Sequence, residues 1–428
     1  MVNEKNSWQR SVTPLLFFVA LYLGCGLSLG IPPTACALAG LALSLFLNTP
    51  NFQAQVSAFI TGAREETVLY MCLIFLLAGA FSTLSKQSGS LDAVVNLGIS
   101  LIPHYLMLPG IFVISSLVAL AMGTSMGTIA TIAPVGIAIA QSTGADLSLT
   151  MGAILSGAMF GDNLSVISDT TIAATGSLNC DMRSKMMANL PLALVAATIT
   201  IVAFYFCKAP PENISAPEFS FIQTLPYFLV LILAVSGLNV IAVLLIGIFC
   251  SASVGIFYHS ISLKEIGLSI NAGFLSVSEI LFLSLFVAGL AGIAMKGGIQ
   301  KLMSSCELII RGRRSAEAVI ASLVSLIDIC VANNTIAILI SGKVAKEIAQ
   351  KYSLPAPRVA SLLDIFSCVW QGLLPYGAQI LLLSSLSQLE PLALVPYSWY
   401  PMALGLVTIL SIILQRPRAS KTPYYASV

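Results

Sequence analysis

Apolar stretches long enough to cross a lipid bilayer recur along the whole chain of 428 residues. A spanning helix needs about 20 mostly apolar residues. Only 9% of the residues are charged, whereas a soluble domain carries roughly 25%. A soluble fold is therefore excluded, and the sequence predicts an all-α polytopic membrane protein. The stretches are 14–30, 31–48, 66–84, 106–141, 147–178 and 187–207, then 221–237, 238–258, 279–295, 316–350, 357–388 and 397–415.

The two halves of the chain present these stretches in the same order. Three ordinary stretches come first, two overlong stretches interrupted by polar residues follow, and one ordinary stretch ends each half. Interrupted segments at corresponding places in two halves are typical of membrane transport proteins. We therefore interpret residues 1–210 and 211–428 as two structural repeats.

The overlong stretches determine how the two repeats are oriented. We interpret the first one in each half, 106–141 and 316–350, as a re-entrant hairpin that leaves the membrane on the side it entered. The second one, 147–178 and 357–388, is interpreted as a single crossing with a break. Each repeat then has five crossings, and because five is odd, the second repeat is inverted relative to the first.

The distribution of basic residues agrees with this orientation. With the N-terminus in the cytoplasm, 17 of the 20 Lys and Arg residues fall on inner segments, and Lys86, Lys208 and Lys264 fall on outer ones. Cytoplasmic loops are enriched in Lys and Arg, so we expect both termini in the cytoplasm and the chain in the cytoplasmic membrane. The count leaves no basic residue inside a span. It does not show whether the hairpins extend halfway or fully across the membrane, because in both cases every connecting segment stays on the same side.

Composition excludes several classes of function. The net charge is +2, and no basic tract is present that could neutralise a run of phosphates, so nucleic acid is not an expected partner. The nine cysteines form no CxxC pair, and His104 and His259 are the only histidines. We therefore expect no histidine- or cysteine-based metal centre and no resident cofactor. The expected partners are the lipid bilayer, transported ions and a second copy of the chain in a homodimer.

Four aspartates fall within the long apolar stretches: Asp162, Asp169, Asp328 and Asp364. An Asp at the centre of a spanning helix costs roughly 2.5 to 3.5 kcal/mol on insertion scales. Because no buried Lys or Arg is expected as a partner, these carboxylates must be protonated, hydrogen-bonded or neutralised by a bound cation. Asp328 can instead cap a half-helix, and the depth of Asp169 depends on where the helix breaks.

The segment around the first two aspartates is rich in oxygen ligands. Its sequence, FGDNLSVISDTT at 160–171, crowds together carboxylates, hydroxyls and an amide, the groups that hard cations prefer. Such side chains compete for backbone hydrogen bonds and favour a helix break. The candidate ion-binding residues here are Asp162, Asn163, Ser165, Ser168, Asp169 and Thr170, with Asp162 and Asp169 as cation ligands.

Three further groups of polar residues interrupt the apolar stretches. Gly123, Thr124 and Ser125 form the predicted tip of the first hairpin, and glycine there permits close backbone approach. Asn333 and Asn334 form the predicted tip of the second hairpin. Asp364 and Gln371 line the second broken span. We include all seven residues in the candidate binding site.

These motifs together resemble a known family. GTSMGT at 123–128, FGDNLSVISDTT at 160–171 and SLLDIFSCVWQGLLPYGAQ at 361–379 are similar to segments of the NhaC-type sodium/proton antiporters, a branch of the ion transporter superfamily. The resemblance runs from about residue 10 to 415. It implies export of sodium in exchange for entering protons, with discontinuous helices around a central site.

The chain departs from many relatives next to the first aspartate. Asn163 and Leu164 stand where those relatives have His and Cys, and Val166 stands where they have Pro. The family also contains exchangers of sodium-lactate for malate. Exchange of sodium for protons by alternating access at a shared carboxylate is therefore the first hypothesis, and coupled transport of small organic anions such as malate, lactate or amino acids is the alternative. An enzyme is not expected, because the residues around Asp162 lack the wider motif of membrane aspartyl proteases.

Overall fold

The computed structural model describes residues 7–22, 24, 31–47, 52–101, 103–165, 168–207, 220–236, 238–296 and 310–415. Over these residues the chain is α-helical, with short 3-10 turns at His104–Leu106 and Val395–Tyr397 and no strand. The predicted all-α class is confirmed. Part of the predicted stretch 14–30 lies outside the described residues.

The helices of the first half are α1 (Ser7–Leu21), α2 (Pro33–Leu47), α3 (Phe52–Ala63), α4 (Glu66–Gln87), α5 (Ser90–Leu101), α6 (Met107–Met122), α7 (Ser125–Thr143), α8 (Leu147–Leu164), α9 (Asp169–Leu178) and α10 (Met182–Tyr205). Those of the second half are α11 (Phe221–Val235), α12 (Val240–Phe257), α13 (Leu263–Ser276), α14 (Ser278–Lys296), α15 (Arg313–Val331), α16 (Asn334–Lys351), α17 (Ala356–Gln371), α18 (Ala378–Ser387), α19 (Pro391–Leu394) and α20 (Trp399–Leu414).

Several of these helices are suited to a lipid environment. Within the described residues, five helical segments are long and apolar enough to cross a membrane, and six if the bent pair Ala378–Ser387 and Pro391–Tyr397 counts as one. One of the five, Leu263–Ala294, runs through α13 and α14. Shorter apolar helices cover Thr34–Phe46, Met107–Leu120, Phe221–Leu233 and Trp399–Leu414. The protein is a multi-pass membrane protein.

Four of the predicted apolar stretches are each divided into two helices. Helix α6 ends at Gly123, whose φ of +67° lies in the left-handed region that glycine adopts without strain. Helices α15 and α16 are separated by Ala332 and Asn333. Helix α8 ends at Leu164 and α9 begins at Asp169, and residues 372–377 separate α17 from α18. The helix ends created in this way lie inside the protein rather than at its surface.

Helix α8 is at the centre of the molecule. Almost every side chain from Thr150 to Leu164 is buried. Two glycines let α6 approach it closely: a Cβ added at Gly157 would lie 2.4 Å from the carbonyl oxygen of Phe112, and one at Gly161 would lie 2.3 Å from the Cβ of Ala119. This close packing fixes the last turn of α8 against the end of α6, where the polar residues lie.

Four described helices were not among the predicted stretches: α3, α5, α13 and the four-residue α19. The first three are 12, 12 and 14 residues long, and each is too short on its own to cross a bilayer at 1.5 Å per residue. Two of them pack through glycine. Gly62 of α3 lies against Gly292 of α14, and Gly273 of α13 lies against Gly79 of α4. Short helices of mixed polarity give no strong hydropathy signal, so reading the sequence for apolar windows missed them.

A candidate ion-binding site at the helix breaks

The Asp162 carboxylate is buried where two helices begin. Its side chain is 6% exposed. One oxygen, Oδ2, accepts hydrogen bonds from the backbone nitrogen of Ser125 at 3.2 Å and from the hydroxyl of Ser125 at 2.7 Å. The other, Oδ1, accepts one from the hydroxyl of Ser168 at 2.5 Å. The carboxylate therefore joins the end of α8 to the starts of α7 and α9.

The helix ends around Asp162 favour negative charge. Ser125 is the first residue of α7, and Ser168 is the N-cap of α9. Neither N-terminus is capped by the side chain of its own N-cap residue. The backbone N–H groups of a helix N-terminus carry partial positive charge and bind anions. The two helix starts thus stabilise the carboxylate with dipoles instead of a basic side chain.

Polar side chains from both halves of the chain surround Asp162. Gln379, the second residue of α18, donates through Nε2 to the Ser125 hydroxyl at 3.2 Å. The hydroxyls of Ser168 and Thr170 lie 2.9 Å apart. Gln379 Oε1 has no hydrogen-bond partner within the described structure. Oxygens of this kind can serve as ligands of a cation.

The second buried carboxylate, Asp364, has a different environment. Its Oδ2 lies 2.6 Å from the Lys185 ammonium, and both side chains are completely buried. The same oxygen accepts hydrogen bonds from Asn163 at 2.7 Å and from Asn189 at 2.9 Å. Lys185 also donates to the carbonyl oxygen of Asn163 and to the hydroxyl of Thr171. Asp364 is thus neutralised by an internal basic residue.

The expectation that no basic residue lies in the interior is therefore wrong. Sequence reasoning counted Lys185 with the loop that contains Arg183, but α10 already begins at Met182. Lys185 lies in the first turn of that helix and, like Asn189 one turn later, contacts Asp364. Residues four apart share one face of a helix. The i, i+4 spacing of two polar residues at the start of an apolar helix is the signal that could have revealed it.

Three oxygens in the Asp364 cluster have no hydrogen-bond partner within the described part of the chain. They are the free Oδ1 atoms of Asn163, Asn189 and Asp364. All three residues are at most 1% exposed. Buried acceptors without a donor are costly. The cluster can therefore accept further hydrogen bonds, for example from a buried water molecule.

A third buried carboxylate, Asp328, lies in the last turn of α15. Gln371, the last residue of α17, donates to its Oδ1 at 2.9 Å. Asp328 does not cap a helix N-terminus. That role belongs to Asn333, which accepts a hydrogen bond from the backbone nitrogen of Ile336 at 3.0 Å at the start of α16. Asn334 accepts one from the backbone nitrogen of Thr335.

The remaining predicted residues have less central places. Asp169 is in the first turn of α9, but its side chain is exposed, and the structure does not bring it to the Asp162 carboxylate. Ser165 donates to the carbonyl oxygen of Leu120 and ties the first broken span to α6. Gly123 and Thr124 form the turn that positions Ser125. Within the described residues, no group of three or more His, Cys, Asp or Glu side chains could hold a metal ion.

A cavity leads from the α3–α4 turn toward these residues. Its volume is about 430 Å³, and it extends from Glu65 to Asn333, with mostly apolar walls. A smaller space of about 20 Å³ shares Asn333 with it and reaches Tyr376 and Ala378. Ala378 precedes Gln379, the partner of Ser125. The two spaces thus adjoin at Asn333, and the smaller one ends beside the residue that precedes Gln379.

The fold and the buried polar clusters define a multi-pass membrane protein whose interior carboxylates lie at helix breaks. The chain matches the model of the Na+/H+ antiporter family over residues 34–209 and 214–415. It belongs to this family, and the resemblance noted from the motifs is confirmed. Family membership indicates a transporter rather than an enzyme.

Curated relatives match almost the full chain. It is 23% identical to the Malate-2H(+)/Na(+)-lactate antiporter of Bacillus subtilis, over 92% of this chain and 94% of that protein. It is also 23% identical to the Na(+)/H(+) antiporter NhaC of the same organism, over 95% and 98%. The Na(+)/H(+) antiporter NhaC of Alkalihalophilus pseudofirmus is 22% identical over 89% of both chains.

Proposed function

We propose that the protein exchanges sodium ions for protons across the cytoplasmic membrane at the Asp162 carboxylate. The observation that carries this proposal is the environment of Asp162. The carboxylate is buried, it is held by serine donors at two helix N-termini, and within the described residues it forms no ion pair. A buried carboxylate without a basic partner requires a proton or a cation for neutrality.

Competition for this carboxylate couples the two ions. A proton bound to either oxygen removes the negative charge that attracts sodium, and a bound sodium ion prevents protonation. The hydroxyl oxygens of Ser125, Ser168 and Thr170 each have two lone pairs, and Gln379 has an unpaired carbonyl oxygen. These oxygens supply the ligands that a hard cation prefers.

The Lys185–Asp364 pair serves this site without binding the exchanged ions. Lys185 holds the end of α8 through the carbonyl of Asn163 and holds α9 through Thr171. Asp364 connects this arrangement to α17 in the second half. The pair neutralises Asp364 within the protein, whereas Asp162 needs an external positive charge.

Alternating access requires two halves that move relative to one another. In the proposed topology, α6–α7 and α15–α16 are re-entrant hairpins, α8–α9 and α17–α18 are broken crossings, and the halves are inverted repeats with both termini in the cytoplasm. The α3–α4 turn, with Arg64, then lies on the cytoplasmic side, and the 430 Å³ cavity opens toward the cytoplasm. With this orientation, the cavity supports an inward-facing state for the proposed cycle.

The test is sodium-dependent proton movement in everted membrane vesicles that report internal pH. Addition of sodium is expected to move protons in vesicles with the wild-type protein, and Asp162→Asn abolishes the response. The matched control is Asp146→Asn, which replaces an exposed N-cap of the same helix by another good N-cap residue. Full exchange by the Asp162→Asn protein would contradict the proposal.

A second candidate is coupled exchange of a small organic anion. The cavity volume is large enough for a small organic molecule, and one similar protein carries malate and lactate in its name. Lys185, the buried basic residue that could attract a carboxylate, is already paired with Asp364, which favours the exchange of sodium for protons. Sodium-driven uptake of labelled malate, lactate or amino acids would favour exchange of an organic anion over exchange of sodium for protons.

A further inference from the structure

One face of α14 lines three spaces along the length of the helix. Residues four apart share a helix face, and four such residues line these spaces: Glu279, Leu283, Val287 and Ala291. Ala291 lines the 430 Å³ cavity, Val287 lines the 20 Å³ space, and Glu279 and Leu283 line a third space of about 270 Å³. The 19 residues of α14 span about 28 Å, close to the thickness of the hydrocarbon core of a bilayer. The three spaces therefore follow one another along one helix from end to end.

The third space is a cleft between α14 and α18. The end of α13 and the first turns of α14 form one wall of this α14–α18 cleft, and α18 with the turn after it forms the other. The Ser385 hydroxyl donates across the cleft to the carbonyl oxygen of Ser276 at 2.9 Å. Glu279 and Glu390 are exposed, and none of the described residues that line the cleft is basic. Because a cleft lined by charges of one sign concentrates ions of the other sign, this cleft favours cations.

A thin apolar layer separates the α14–α18 cleft from the 20 Å³ space. On α14, Leu283 lines the cleft and the next residue, Ser284, lines the small space. On α18, Ala378 lines the small space and Leu381 lines the cleft, so one helical turn of about 5.4 Å lies between them. Leu283 and Leu381 are only 2% and 3% exposed. These two leucines therefore close the inner end of the cleft.

The turn of α18 between the two spaces also contacts the proposed exchange site. Gln379 lies in this turn, and its Nε2 donates to the Ser125 hydroxyl at 3.2 Å. The same hydroxyl donates to the Asp162 carboxylate. The exchange site thus adjoins the layer that separates the spaces, and a movement of α18 changes the site and the layer together.

The proposed topology places the α14–α18 cleft on the outer side of the membrane. Lys264, at the start of α13, is one of the three basic residues assigned to outer segments, and the chain after α18 leads into the last crossing toward the cytoplasmic C-terminus. The 430 Å³ cavity lies at the other end of α14 and includes Glu65, next to Arg64 on the cytoplasmic side. The cleft and the cavity therefore open on opposite sides.

We propose that the α14–α18 cleft is the outer half of the ion pathway, through which sodium leaves the protein after the exchange at Asp162. The inference rests on the exchange proposed above. In the inward-facing state, Leu283 and Leu381 separate the cleft from the exchange site. A displacement of α18 against α14 moves this apolar layer, breaks the hydrogen bond between Ser385 and Ser276, and joins the cleft to the site.

The experiment places a thiol in the cleft by Ser384→Cys, a change to a side chain of similar size at a residue that lines it. Intact cells are treated with a positively charged, membrane-impermeant thiol reagent, and everted vesicles prepared from them are tested for sodium-dependent proton movement. Peptide mass spectrometry locates the reagent, and any of the nine native cysteines that reacts is first replaced by serine. We expect modification at position 384 and at least about tenfold slower exchange, because a fixed positive charge in the cleft repels a passing cation.

The matched control is Ser260→Cys. Ser260 is exposed between α12 and α13, on the same side of the protein in the proposed topology, and it does not line the cleft. The reagent should modify this variant from outside as well, and its exchange should continue at the rate of the treated wild type. The control therefore separates a charge in the cleft from a charge elsewhere on the outer surface.

The outcomes separate this inference from the proposed function. Absence of sodium-dependent proton movement in the untreated wild type contradicts the proposed function itself. A Ser384→Cys protein that the reagent does not modify from outside, that it modifies only when added to everted vesicles, or that exchanges at the full rate after modification contradicts only the outer pathway. If this variant has no exchange before treatment, Leu389→Cys in the same cleft replaces it, with the same expected results.

Discussion

Asp162 and Asp364 are both buried carboxylates next to a helix break, yet they are stabilised in different ways. Asp364 has an internal cation, since the Lys185 ammonium lies 2.6 Å away. Asp162 has serine donors and helix N-termini but, within the described residues, no basic partner. The comparison shows how one interior can contain an ion pair that connects several helices and, beside it, a carboxylate that is held by hydroxyl and backbone donors alone.

The largest expected effect concerns the permanent pair. Lys185→Met leaves Asp364 buried without its cation, and removing one partner of a buried pair costs about 3 to 5 kcal/mol. We therefore expect a strongly lowered unfolding temperature in detergent. The control is Lys343→Met, which replaces an exposed lysine. Lys185→Met combined with Asp364→Leu should recover most of the stability, and a double variant as unstable as the single one would argue against a pair.

Asp162→Asn, unlike Lys185→Met, should affect the response to sodium rather than the stability of the protein without sodium. It removes a charge that has no basic partner, so stability without sodium should change little. Sodium at about 100 times its dissociation constant should stabilise the wild type by about 2.7 kcal/mol, whereas the variant should gain nothing. Thermal unfolding with and without sodium measures the difference. Equal stabilisation of both proteins would show that sodium binds elsewhere.

Ser125→Ala should have a moderate effect on the exchangeable site alone. It removes the hydroxyl that donates to Asp162 at 2.7 Å but keeps the backbone donor. Loss of one hydrogen bond to a charged group costs about 1.5 to 3 kcal/mol, so the dissociation constant for sodium should rise by at least about tenfold. Titration of the sodium-induced stabilisation measures this constant. An unchanged value would exclude Ser125 from the site.

Asp169→Asn should have the smallest effect. The side chain is exposed, so exchange activity should stay within about twofold of the wild type, a difference of about 0.4 kcal/mol. Initial rates in vesicles over a range of sodium concentrations provide the measurement. A large loss would restore Asp169 as the second sodium ligand that the sequence suggested.

Much of the helical arrangement could be predicted because its signals are local. Apolar length identified most long helices, and the polar clusters at Gly123, at Asp162 and at Asn333 fall where the structure has helix ends. Glycine, serine and asparagine favour these positions through their own backbone preferences. The short helices α3, α5 and α13 give no comparable signal.

The partners of the buried carboxylates could not be predicted, because they come from distant parts of the chain. Asp364 pairs with Lys185, which is 179 positions earlier, and Ser125 receives a hydrogen bond from Gln379 across 254 positions. Counting charges by segment placed Lys185 in a loop, since hydropathy does not show which way the first turn of a helix faces. The depth of Asp169 depended on the register of the break for the same reason.

The central claim is that a sodium ion and a proton exclude one another at Asp162. Calorimetric titration of the purified protein with sodium, in buffers of different ionisation enthalpy at a pH where the site is protonated, measures proton release directly. The account predicts that sodium binding releases protons from the wild type and that Asp162→Asn loses this sodium binding. Sodium binding without proton release, or with unchanged affinity in Asp162→Asn, would contradict it.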